Sequence, residues 1–165
     1  VNSGGTQTLF DGAVSENAII NNSGVQNVSS GAVANSTTLN SGGTQHVRAG
    51  GSASGTIINA SGLQNILSGG SAVSAVVNNA GTQTVNNGGH ALNTVVSSGG
   101  FQRVSAGGVA TGTTITNGGF QNVSSGGRTV STTVNSGGTQ TLFDGAVSEN
   151  AIINNSGVQN VSSGA

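Results

Sequence analysis

Few residues in this chain could do chemistry. Asp11 and Glu16 are the only acids in their stretch, and two such carboxylates could serve as the acid and base of glycoside hydrolysis. The same pair returns at Asp144 and Glu149, too far along the chain to share a site with the first. A solvated turn and corner is the simpler reading of both pairs. His46 and His90 are the only histidines and occupy unrelated positions, so they do not suggest a metal pair. The many Ser residues are not set in a Gly-x-Ser-x-Gly elbow with a His partner. No Asp-rich Gly-Gly-x-Gly-x-Asp nonapeptide appears, so calcium-binding turns are not supported. The absence of Cys removes disulfides, zinc thiolates and thiol redox chemistry. We therefore expect no catalytic residue, no metal and no cofactor.

Composition narrows the class further. The chain has 165 residues, a net charge of −1, 30 Gly and no Pro, Met, Trp or Tyr. Only 4% of residues are charged, against about a quarter in ordinary globular domains. Without a basic excess, nucleic-acid or anionic-membrane partners are not expected. No apolar run approaches the roughly 20 residues of a spanning helix, so direct membrane insertion of this segment is not expected. Collagen is excluded, because Gly does not fall at every third residue and Pro is absent. Disorder driven by charge does not fit a chain so rich in Val and Ile.

The elements that must position any site come from a repeat. The motif Gly-x-Gln-x-[Val/Ile/Leu]-x-x-Gly recurs every 19 residues without insertion or deletion. Numbering the columns from Val1, column five holds Gly5, Gly24, Gly43, Gly62 and their successors. Column seven holds Gln7, Gln26, Gln45, Gln64, Gln83, Gln102, Gln121, Gln140 and Gln159. Column twelve holds Gly12, Gly31, Gly50, Gly69 and their successors. Columns one and nine are always aliphatic, and column fifteen is nearly always small. Residues 1–32 recur unchanged at 134–165, seven repeats on.

Nineteen residues are too few, and too rich in Gly and β-branched residues, for a helix pair. Within a repeat the period is two: Gln7 and Leu9 face one way, Thr6, Thr8 and Phe10 the other. Each repeat offers two or three short strands separated by Gly turns, which supply φ > 0 corners. Strands this short have no core alone. Stacked as coils, each pairs in parallel with its equivalent about 4.8 Å away, and the aliphatic columns fuse into one interior. Each buried Val or Ile then contributes about 1.5–3 kcal/mol. The expected fold is all-β, a parallel β-helix or β-solenoid with one repeat per coil and about 8.7 coils, residues 1–165 forming a single repeat domain.

Stacking explains the low charge, because a charged column would set like charges about 5 Å apart. Arg48, Arg103 and Arg128 fall in columns ten, eight and fourteen, and no charge is stacked on its like. The Gln column shares the inward face with column nine. A buried amide needs a partner, and stacked amides can bond along the axis, so an amide ladder or a cap on the Gly turn is expected, with a ligand-binding Gln row as the alternative. Phe101 and Phe120 share column six, and Phe10 and Phe143 share column ten, giving small outward apolar strips. Column eighteen holds five Thr in eight, at Thr37, Thr56, Thr94, Thr113 and Thr132. Such a row would serve ice binding only from the outside of the coil, and an inward placement is open.

The phrase Val-Asn-Ser-Gly-Gly-Thr-Gln-x-[Val/Leu]-x-x-Gly, with Thr-Thr-Val-Asn-Ser-Gly-Gly at 132–138, resembles the passenger repeats of AIDA-type self-associating autotransporter adhesins. The resemblance covers the whole chain. It implies a right-handed β-helix displayed on a Gram-negative cell surface, acting in autoaggregation, biofilm formation and adhesion to host-cell or matrix receptors. It also implies a glycosyltransferase partner that modifies Ser of the repeats, with Ser29, Ser30, Ser124 and Ser125 as matching positions. Lacking an initiator Met, a signal segment and a translocator barrel, the chain is expected to be a piece of a longer array. The functional expectation is a non-catalytic adhesive stalk that associates with itself and can stack end to end. The alternatives are an ice-binding solenoid and a polysaccharide-processing β-helix.

Overall fold

The computed structural model describes every residue except 3, 41, 60 and 79. All its regular elements are strands, and each coil contributes three. In the first coil these are β1 (Thr6–Leu9), β2 (Val14–Glu16) and β3 (Ile19–Ile20). The equivalents of β1 form a nine-stranded sheet, those of β2 and β3 two eight-stranded sheets. Every pairing is parallel and every register is 19 residues, from Thr6 opposite Val25 to Leu142 opposite Val161. Strands of four, three and two residues are too short to stand alone. They persist because each strand inside a sheet is hydrogen-bonded to the next coil on one side and the previous coil on the other.

The alternation read from the sequence decides what lies inside. In the first sheet the Gln and the aliphatic residue are buried while their neighbours face out, as in Leu63–Ile66. In the second sheet only the middle residue is buried, and it is small: Ala34, Ala53, Ala72, Ala91 and Ala110. Ile66, Val85, Val104 and Val123 pack directly against that alanine column. The third sheet adds a ladder of Ile20, Leu39, Ile58, Val77, Val96, Ile115 and Val134, all fully buried. A narrow coil with three inward columns leaves room for small side chains opposite large ones.

Three corners close each coil, and they differ in kind. The corner after the first sheet is a β-turn such as Ser29–Ala32, closed by the Ala32 N–H donating to the Ser29 carbonyl at 3.0 Å. Its third residue is the column-twelve Gly, with φ of 72° at Gly31 and 73° at Gly69. That is the positive φ a type II turn requires. The corner between the second and third sheets is a single left-handed residue, Asn17, Ser36, Gly55 or Ser74, with φ from 52° to 62° among them.

The column-five glycines correct the sequence reading. Gly5, Gly24, Gly43 and Gly62 close the remaining turn, but none has a positive φ. Their requirement is space. A Cβ on Gly62 would lie 2.6 Å from the Leu39 carbonyl oxygen of the coil beneath, and one on Gly24 would lie 2.7 Å from that of Val1. Positive φ in this turn falls on the preceding column, at Ser23, Ser61 and Gly99 among others.

Candidate functional site

The inward polar row is the most regular feature of the interior. The Gln45 Nε2 donates to Gln26 Oε1 at 2.7 Å, Gln64 to Gln45 at 2.7 Å, and Gln83 to Gln64 at 2.7 Å. The run continues through Gln102, Gln121, Gln140 and Gln159, and begins with Gln26 donating to Gln7 at 2.8 Å. From Gln26 to Gln140 these side chains are fully buried. Each amide is thus donor to the coil before and acceptor from the coil after.

The Thr of column eighteen joins the same network. Thr37, Thr56, Thr94 and Thr113 donate their hydroxyls to Gln26, Gln45, Gln83 and Gln102 Oε1 at 3.1–3.2 Å, and Thr132 to Gln121 at 3.4 Å. All five threonines are buried. An ice-contact surface therefore does not lie on this column. Sequence reasoning left the partnership unseen, although a signal was present. Column eighteen is two residues from the inward column one, so its hydroxyls needed a buried acceptor, and Gln was the one polar type recurring inside. Where the column holds Ala, as at Ala75, the matching Gln64 Oε1 keeps only its ladder bond.

The charged residues lie outside. Asn35 donates to Glu16 Oε1 at 2.8 Å, and Asp11 is exposed at the corner before the second sheet. Glu149 accepts a two-point contact from the Arg128 Nε at 3.0 Å and Nη2 at 2.7 Å. Arg48 donates to Asn27 Oδ1 at 3.0 Å. His46, facing out from the first sheet beside Asn65, has its pKa lowered by partial burial and then by the nearby Arg48 guanidinium. His90 lies on the second sheet, separate from His46. Among the described residues no three His, Asp or Glu come together as metal ligands would.

Ser29, Ser30, Ser124 and Ser125 occupy the first two positions of the β-turns whose third residues are Gly31 and Gly126. Ser30, Ser124 and Ser125 are exposed and Ser29 is half-buried. Phe101 and Phe120 stack on the outer face of the first sheet, ring centroids 5.0 Å apart and 15° between planes. Phe10 and Phe143 stand alone and open to solvent at the corner. The arrangement offers repeated exposed hydroxyls, a few apolar strips and few charges on a stiff frame.

Comparison with known proteins agrees with this geometry. A family described as adhesin of bacterial autotransporter system, probable stalk, matches residues 30–81, 58–119 and 84–138. No curated protein matches the chain. A crystal structure of a TibA fragment, hyper-glycosylated in a reaction catalysed by TibC, superposes with a TM-score of 0.98 at 48% sequence identity. The alignment covers 99% of this chain and 61% of that one, so the chain spans less than two thirds of the TibA fragment's length. With its unbroken solenoid and family matches overlapping from residue 30 to 138, the chain belongs to the AIDA family of bacterial autotransporter adhesin stalks.

Proposed function

We propose that residues 1–165 form one solenoid domain within a longer array that serves as a non-catalytic, adhesive stalk on a bacterial cell surface. The observation that carries this reading is the unbroken 19-residue register through all three sheets. Such a body is long, stiff and stabilised coil by coil. Function then lies in its outer faces, where rows of Ser, Thr and Asn hydroxyls and amides meet small apolar strips. Homotypic association leading to aggregation and biofilm formation uses these faces, and host-cell or matrix receptors are further partners.

Ser29, Ser30, Ser124 and Ser125 are acceptors for a glycosyltransferase in this proposal. Their support is their exposure at turns and the TibC-modified state of the similar TibA fragment. Two measurements test the reading. Sedimentation and electron microscopy of the purified chain should show concentration-dependent assemblies. Intact mass after co-expression with TibC should rise in whole sugar increments, and the Ser124→Ala, Ser125→Ala double variant should lose some of them. Monomers at every concentration would overturn self-association. An unchanged mass would overturn the modification.

A further inference from the structure

The outer face of the first sheet is not flat throughout. At the strand Thr82–Val85 the outward side chains are the short Thr82 and Thr84. The strand on one side carries Leu63 and Asn65 in register with them, and the strand on the other carries Phe101 and Arg103. One coil of small residues between two of larger ones leaves a trough of about 370 Å³, lined by Leu63, Asn65, Thr82, Thr84 and Arg103. Ser61 and Gly62 also line it. That volume is within the roughly 300–1,000 Å³ range of small-molecule sites.

Its chemistry is specific. Arg103 is exposed, and among the described residues its side chain joins no ion pair, the one found there being Arg128 with Glu149. The four acids lie in columns eleven and sixteen of the first and eighth coils, off this face. A guanidinium with no acid beside it is a ready fork for a carboxylate. The Thr82 and Thr84 hydroxyls and the Asn65 amide offer donors and acceptors along the floor, and Leu63 offers one apolar wall. The Phe101 ring, next to Arg103, is held by its stack on Phe120.

We propose that this trough binds a saccharide bearing a carboxylate, with Arg103 holding the acid group and Asn65, Thr82 and Thr84 meeting ring hydroxyls. The site goes beyond the stalk reading, because a self-associating rod needs no small-ligand pocket. An open trough implies weak binding, with a Kd on the order of 1 mM. Two sources of the acid sugar are possible, a hexuronate and a sialate.

The test is an NMR titration of the ¹⁵N-labelled full chain with three probes: a hyaluronan tetrasaccharide, 3′-sialyllactose and lactose. At least one acidic probe should shift the amides of Thr82, Thr84 and Arg103, and the probe that does so names the source. Lactose should shift them far less. Arg103→Gln should weaken binding at least about tenfold, and Thr84→Leu, which fills the floor, should abolish it with Arg103 intact. Arg48→Gln removes an equal charge outside the trough and should leave binding unchanged. Spectra unaltered away from the trough show that each variant keeps its fold. Absent shifts, equal binding of lactose, or equal loss in Arg48→Gln would overturn the site. Failure to aggregate with the trough still binding would instead sink the adhesive reading and leave the site standing.

Discussion

The two faces of the first sheet obey opposite rules. Inside, Gln and an aliphatic residue occupy the same columns in every coil, and identical neighbours reinforce one another. Stacked Gln amides satisfy each other at 2.7 Å, and stacked Val and Ile exclude water. Outside, the equivalent columns run through Thr, Val, Leu and Phe, and through Thr, Asn, His and Arg. Water screens those residues, so their identity costs little and is free to vary. Along this sheet, stacking therefore enforces uniformity on the buried face and leaves the outer face free to vary.

Substitutions can break or sharpen that contrast. The largest effect is expected for Val85→Asp, which buries an unpaired carboxylate among Ile66, Val104 and the alanine column. We expect a loss of about 4 kcal/mol or more in urea unfolding. Gln83→Leu should follow at about 2–4 kcal/mol. It leaves the Gln102 Nε2 without its acceptor and strips a donor from Gln64. Thr94→Val removes only one hydroxyl from an oxygen that keeps its ladder bond, and should cost about 1 kcal/mol in the same measurement.

Thr84→Asp is the outward counterpart of Val85→Asp, one residue away. Set in register with Arg103, it should change stability by less than about 0.5 kcal/mol. A loss comparable to that of Val85→Asp would end the inside–outside distinction. The smallest effect concerns pH. The folded state lowers the His46 pKa below its unfolded value of about 6.5, so the unfolded chain binds the proton more readily. Stability from this group is then full above that value and declines as pH falls toward the folded pKa. Melting temperature should drop slightly from pH 7.5 to 5.5, and His46→Asn should flatten that slope. A slope that steepens or reverses in the variant would contradict the assignment.

Much of this architecture was legible in the residues because stacking converts sequence period directly into spatial neighbourhood. The spacing of Gln64 and Gln83 alone predicts their contact. The function of a constant column was less legible. Gly62 and Gly69 look equivalent in the sequence, yet one is excluded from carrying a side chain by the Leu39 carbonyl, and the other by its φ of 73°. Constancy registers a constraint without naming its cause. The buried hydroxyl of Thr94 and the trough at Thr84 were hidden for a different reason. Each depends on what lies across the coil or in the coils above and below, which no single column displays.

The direction of the inter-coil hydrogen bonds has a mechanical corollary. They run along the axis of the rod, so a pull on its two ends opens them a few at a time instead of shearing whole sheets at once. Each coil that gives way would lengthen the tether from about 5 Å to about 60 Å of extended chain. A rod built this way would meet a sudden tug by paying out length, while the remaining coils stay folded.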